Sequence, residues 1–263
     1  MNPSMIPYIN TLGRFCGVRD VPVLSQHALY EKYGFPTADL MVLFGGSILC
    51  GGDVLAVAMK ENVAKCYMIV GGVGHTTQAL RDRVQAAFPG WNTAGLPEAE
   101  LLNGCLKRKY GLSADLLECR STNCGNNITF LLELLKKQHM NIHSCILMQD
   151  ASMQRRMAAV MRKARPDMTI INYASYNVQV VEQNGQPAFE STPSGMWSME
   201  RYVTLLMGEI PRLVDDENGY GPNGRGYLAH EDVPDSVIHA YQMLKQYDPA
   251  LVRTANAAYA KPR

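Results

Sequence analysis

A doubly wound, mostly parallel α/β sheet followed by a smaller, mainly helical C-terminal part is the architecture this sequence predicts. Three observations carry the expectation. Short apolar runs rich in Val, Ile, Leu and Met recur along the first two thirds of the chain. Several end in glycine or polar turn residues, and a helix-period segment follows each of the first four. Such runs, too short to span a bilayer, read as strands buried on both faces, the pattern of a parallel sheet with crossover helices. After residue 190 the strand signal stops and helical segments alternate with one long glycine-rich loop.

The elements follow in order. "ADLMVLFGG" (38–46) is a strand ending in glycines, with a helix expected over about 53–63. "KCYMIVGG" (65–72) repeats the pattern, with a helix over about 76–88. "PEAELLNGCLKRKYG" (97–111) is a further helix, opened by Pro97 and closed by Gly111. The short strand "DLLEC" (115–119) leads through "STNCGNN" (121–127) into a helix whose Ile128, Leu131, Leu132 and Leu135 form a core-facing stripe. "HSCILMQ" (143–149) precedes a helix over about 152–164, and "MTIINYA" (168–174) is the last strand of the sheet. Gln183-Asn184-Gly185-Gln186 is a hairpin turn within 177–190. Helices are expected near 196–210, 234–246 and 249–258 around the loop 215–232. The boundary falls near 190, with residues 1–190 as the α/β domain and 191–263 as a C-terminal helical or lid region.

Composition narrows the function classes. A formal net charge of +1 gives no global attraction to nucleic acid, and no Lys/Arg run supplies a local one. The first residues lack the basic start and continuous apolar stretch of a signal peptide, so a cytoplasmic protein with no membrane partner is expected. The seven cysteines are odd in number and contain no C-x-x-C pair, which argues for reduced thiols rather than a disulfide framework or zinc site. Cys124 differs from the rest because it falls at an expected helix start, a place where thiols tend to be more reactive, but a small residue packed in a turn is the favoured reading. The His139/His143 pair falls at a helix end, and no metal site is expected.

In an open parallel sheet, ligands bind at the carboxyl ends of the strands, where strand order reverses. The first strand delivers Gly45, Gly46 and Ser47 there. The second delivers Gly71, Gly72, Gly74 and His75, the third Ser121, Asn123, Asn126 and Asn127, and the fourth Asp150, Arg155 and Arg156. Glycine turns let backbone N–H groups approach an anion, and the next helix start adds a favourable dipole. The G-x-G at 72 and 74 has Thr77 at the third glycine position of the dinucleotide fingerprint, so it is only a partial match. Asn123 fits a helix cap. Capping needs one or two polar groups, whereas a Ser, a Thr, a Gly and three Asn converge here, so ligand contact and capping both stay open. Helix phase puts Arg156 at the edge of the core face, able to reach a carboxylate or phosphate, and turns Arg155 toward solvent. Asp150 and His75 are the acid/base candidates, each with a bland alternative as a helix cap or a turn hydrogen bond.

"STNCGNN", "QDASMQRR" (149–156), "GGVGHTT" (71–77) and "ERYVTLLMGEIPRLVDDENGYGPNGRGYLAHEDVP" (200–234) together resemble the YdcF-like branch of the SanA/ElyC/YdcF family, a family of unknown-function domains. The resemblance covers most of the chain in the same order. It implies a Rossmann-like domain with an added C-terminal part that binds a nucleotide-type small molecule, S-adenosylmethionine being the ligand associated with the branch. It implies no established reaction. Asn126-Asn127 departs from the family's usual acidic residue followed by Asn, and Met153 stands where the wider family often carries His. Both departures remove titratable groups. The acidic residue that conventionally ends the second strand to hold a ribose is also missing, since "MIVGGVG" contains none. Three functions follow: binding of an adenosyl or nucleotide-type ligand, with a transferase conceivable; hydrolysis or transfer of a phosphorylated or glycosyl substrate through His75 or Asp150; or a non-catalytic binding module. The loop 215–232 is expected to be either a lid or an exposed connector.

Overall fold

The computed structural model describes residues 1–46, 48–74 and 76–252. Ser47, His75 and the last part of the helix expected over 249–258 lie outside the described residues; Pro249–Leu251 within that stretch is a single 3-10 turn.

The central sheet has five parallel strands: β1 (Leu40–Phe44), β2 (Tyr67–Val70), β3 (Leu116–Glu118), β4 (Ser144–Met148) and β5 (Thr169–Asn172). Their spatial order is β3-β2-β1-β4-β5, so the chain winds outward from β1 through β2 to β3, then returns to lay β4 on the other side of β1. Order therefore reverses between β1 and β4. The sheet is a Rossmann-like doubly wound α/β fold.

Side chains of β1 alternate between two cores, as a period of two requires. Met41 and Leu43 face α2 (Gln26–Tyr33), α3 (Cys50–Lys60), α4 (Thr77–Ala87) and α5 (Glu98–Tyr110). Leu40, Val42 and Phe44 face α6 (Cys124–Lys137) and α7 (Gln154–Ala164). Ile128, Leu131 and Leu135 of α6 are buried in that second core, as their spacing requires. Burial of such side chains is worth about 1.5–3 kcal/mol each, which is why strand and helix periodicity is legible in the sequence.

A third core lies outside the sheet. It joins α1 (Ile6–Cys16) to one side of α7, to α8 (Met199–Leu213) and to α9 (Asp235–Tyr247), drawing on both sides of residue 190. Neither α1 nor α2 was anticipated. The signal for α1 was present, since Met5, Ile9, Leu12 and Cys16 recur at helical spacing and are buried together. The hairpin β6 (Val180–Gln183) and β7 (Gln186–Phe189) turns at Asn184-Gly185, both with positive φ.

The loop 215–232, expected as a lid or an exposed connector, is a structured segment held against α7. It folds on itself, with Leu228 N donating to the Tyr220 carbonyl (3.0 Å) and Asn223 N to Asp215 Oδ1 (2.7 Å). It is pinned to α7 by Ala229 N on the Ala159 carbonyl (3.0 Å) and by Glu231, which pairs with Arg155 and Arg162. No described helix is long and apolar enough to cross a membrane.

Candidate functional site

The carboxyl ends of β3, β2, β1 and β4 stand in a row, so the predicted site residues lie along one edge of the sheet. Three strand spacings separate its ends, roughly 14 Å at 4.8 Å per strand. Ser121 and Asn123 therefore stand at one end and Asp150 at the other. No single small group bridges them, and the candidates divide into two clusters.

The outer cluster surrounds the glycine turn after β2. Gly72 N donates to Ser121 Oγ (3.2 Å), and Gly74 N donates to Thr77 Oγ1 (2.8 Å). A Cβ on Gly72 would lie 2.2 Å from the Ser121 carbonyl oxygen, so only glycine fits where the β2 and β3 turns cross. Asn123 caps α6 through Oδ1, which accepts from Asn126 N (3.0 Å). Asn127 donates its backbone N–H to the Asn123 carbonyl (2.9 Å), and its carboxamide is half-buried with no partner among the described residues. Asn123 thus caps α6, and Ser121 Oγ helps to shape the turn.

Between the β1 and β2 turns sits a carboxylate that sequence reasoning missed. Glu98, the first residue of α5, is 7% exposed and packs against Gly45 and Gly71. Its Oε1 accepts from the hydroxyls of Thr76 (3.0 Å) and Thr77 (2.9 Å). Burial raises its pKa above the usual carboxylate value, and the two threonine hydroxyls only partly offset that. In "PEAELL" it reads as an ordinary first-turn acid, favourable to the helix dipole, so nothing local marked it.

The inner cluster lies at the switch point between β1 and β4. Asp150 is 8% exposed. Its Oδ1 accepts from Ser152 N (2.9 Å), Ser152 Oγ (2.7 Å) and Tyr176 Oη (2.7 Å), and its Oδ2 accepts from Trp197 Nε1 (2.8 Å). Burial and the adjacent carboxylate push the Tyr176 hydroxyl well above the usual phenol range, so it stays a donor. Asp150 thus acts as a buried acceptor hub. Gln149, 3% exposed, places its carboxamide across from Gly46, 3.8 Å from where a Cβ would sit. Its Oε1 accepts from Asp150 N (2.7 Å), and its amide nitrogen has no partner among the described residues. A buried donor without an acceptor is costly unless a ligand or water meets it.

Three helices open onto this edge with no side-chain cap: α3 after β1, α4 after β2 and α7 after β4. Their first-turn N–H groups suit an anionic or carbonyl oxygen.

The arginines depart from the sequence reading. Arg156 turns its fork onto Glu209 of α8, with Nη2 on Oε1 at 3.0 Å and Nε on Oε2. Arg212 Nη1 adds a contact to the same Oε1 (3.2 Å). The guanidinium expected to face a ligand is already committed inside the protein. Arg155 is not the solvated charge that helix phase suggested. Its Nε donates to the Phe15 carbonyl (2.6 Å), its Nη1 pairs with Glu231 (3.1 Å), and its plane lies 4.2 Å over the Phe15 ring. The reason is α1, which covers that side of α7 and which the sequence reading lacked.

All seven cysteines are free thiols, and no metal-binding group of three or more ligands occurs among the described residues. A cavity of about 520 Å³ lies at the outer edge of the sheet beside β3, lined by Leu117, Glu118, Arg120, Glu133 and Lys137, away from the switch point. The chain matches no protein-family model.

Proposed function

We propose that this chain is a YdcF-like, cytoplasmic member of the SanA/ElyC/YdcF family, and that its switch-point crevice binds a nucleotide-type small molecule, S-adenosylmethionine first among them. The observation carrying the reading is the inner cluster. Starts of α3 and α7 without side-chain caps, the glycine turn at Gly45-Gly46 and the Gln149 amide nitrogen, which has no partner among the described residues, meet where strand order reverses. Donors dominate that set, as an anionic or carbonyl-rich ligand requires.

Binding is favoured over general acid–base chemistry because Asp150 has both oxygens taken by hydrogen bonds. A hydrolase or transferase using Asp150 would have to break that arrangement first. The outer cluster serves mainly to hold the glycine turn in shape.

Thermal unfolding against S-adenosylmethionine, S-adenosylhomocysteine, ATP, NAD, UDP-sugars and inorganic phosphate tests the proposal. At a hundredfold excess over Kd a bound ligand adds about 2.7 kcal/mol, a rise of about 5–11 °C for a protein of this size. Gly46→Ala is the informative variant, since the added methyl meets only the Gln149 carboxamide and should leave the fold intact while intruding on the ligand. Asn123→Ala serves as the control for helix-cap loss, expected to lower stability by about 1 kcal/mol without abolishing the ligand shift. A shift with an adenosyl compound, weakened by Gly46→Ala, supports the reading. Absence of a shift with every compound removes it.

A further inference from the structure

The segment 191–198 runs from the hairpin to α8 over the ends of β1 and β4, and it meets the crevice at two polar points. The Ser194 carbonyl accepts from Cys50 N (3.1 Å), the first residue of the otherwise uncapped α3. The Trp197 indole N–H donates to Asp150 Oδ2 (2.8 Å). Each contact fills a role open to a ligand: an oxygen at a helix start and a nitrogen donor at a buried carboxylate.

The segment is shaped for this position. Gly195 has φ +77°, and a Cβ on it would lie 2.9 Å from Leu49 N, so a side chain is excluded by both backbone hand and clearance. The Trp197 ring lies within 5.0 Å of the Arg83 guanidinium and 5.8 Å of that of Arg201. Ser194 and Ser198 are exposed and Gly195 to Trp197 half-buried, whereas Asp150 and Cys50 beneath them are each 8% exposed. A half-exposed cover over buried polar groups opens at far lower cost than a core element.

We propose that Ser194–Trp197 is a strap that occupies the crevice in place of ligand and is displaced when ligand binds. This rests on the reading of the crevice as a ligand site. The chemistry of the strap defines the ligand class: one anionic or carbonyl oxygen for the α3 start, and one N–H donor for Asp150. The amino-acid end of an adenosyl amino acid carries both groups, whereas inorganic phosphate carries only the first. Strap closure lowers apparent affinity by the fraction of molecules that are closed.

Cys50 reports strap opening without any ligand. Burial pushes its thiol up to about 12, so it reacts slowly while covered. Iodoacetamide labelling mapped by mass spectrometry would compare Cys50 with Cys145, a fully buried core thiol. Trp197→Phe removes the donor to Asp150, and Gly195→Ala strains the strap against Leu49. Trp197→Phe should speed Cys50 labelling by about tenfold or more, the value of the lost hydrogen bond, Gly195→Ala should speed it too, and both should leave Cys145 unchanged. No acceleration at Cys50, or equal acceleration at both thiols, overturns the strap.

A second arm uses S-adenosylmethionine and phosphate as probes in a Trp91→Phe background, where Trp197 is the remaining tryptophan. S-adenosylmethionine should red-shift its emission and phosphate should not. S-adenosylmethionine that raises the unfolding temperature yet leaves Trp197 emission and Cys50 labelling unchanged overturns the strap alone. Faster labelling in both variants with no probe binding leaves 194–197 as a segment that opens, and removes the ligand reading and displacement by ligand with it.

Discussion

Replacing Glu209 by glutamine tests the largest electrostatic commitment in the structure. Glu209 receives the fork of Arg156 and a third contact from Arg212, and the three side chains are 5%, 13% and 15% exposed. Burial opposes the Arg156 charge, but the Cys124 sulfur and the Glu209 carboxylate beside it hold its pKa above the usual arginine value. Glu209→Gln keeps the shape and removes the charge, leaving two guanidinium groups facing each other in a dry site. Breaking a buried pair from one side costs about 3–5 kcal/mol, because the remaining charge is uncompensated. At about 2–4 °C per kcal/mol, the melting temperature should fall by about 6–20 °C. Urea unfolding with an unchanged m-value would place the loss in the folded state. Replacing both members, Arg156→Met with Glu209→Met, should recover most of the loss, since apolar substitutes of similar volume are often neutral. A loss below about 1 kcal/mol for Glu209→Gln alone would refute the reasoning, showing that water reaches the cluster. It follows that Arg156→Ala is a poor probe of ligand binding, because it unfolds before it informs.

Three further outcomes are expected. Gly72→Ala should destabilise by about 1–3 kcal/mol or more, because its Cβ would meet backbone atoms of Cys119, Arg120 and Ser121 that cannot retreat; a wild-type melting temperature would contradict that crossing. Glu98 has a folded-state pKa above its usual 4.5, so its protonated form is favoured and stability declines as pH rises from 4.5 through the folded value. The neutral Glu98→Gln variant should therefore gain on the wild type in urea midpoint as pH goes from 4 to 7, and a constant difference would exclude the effect. His230 is held above its usual 6.5 by hydrogen bonds to Asp215 and Asp232, so its contribution is complete below pH 6.5 and lost as pH rises through the folded-state value. Amide exchange at Tyr220 and Asn223 should quicken across that range, and an NMR titration of His230 at or below 6.5 would count against it.

Local periodicity determined the sheet. Short strands of three to five residues, glycine turns and helix-phase stripes are set by contacts within a few residues, so β1 to β5 and α3 to α9 were legible from the sequence alone. Candidate residues were legible too, but their partners were not. Trp197 meets Asp150 across 47 residues and Glu209 meets Arg156 across 53, separations over which no spacing rule operates. Helix phase gave Arg155 and Arg156 their directions, yet α1 and α8 fixed what each direction contained. Glu98 looked like any first-turn acid until the β1 and β2 turns closed around it. The sequence sets which faces must be buried, because burial follows composition along each element. Only the crossing of distant segments decides which polar groups are spent on one another and which stay open to a ligand.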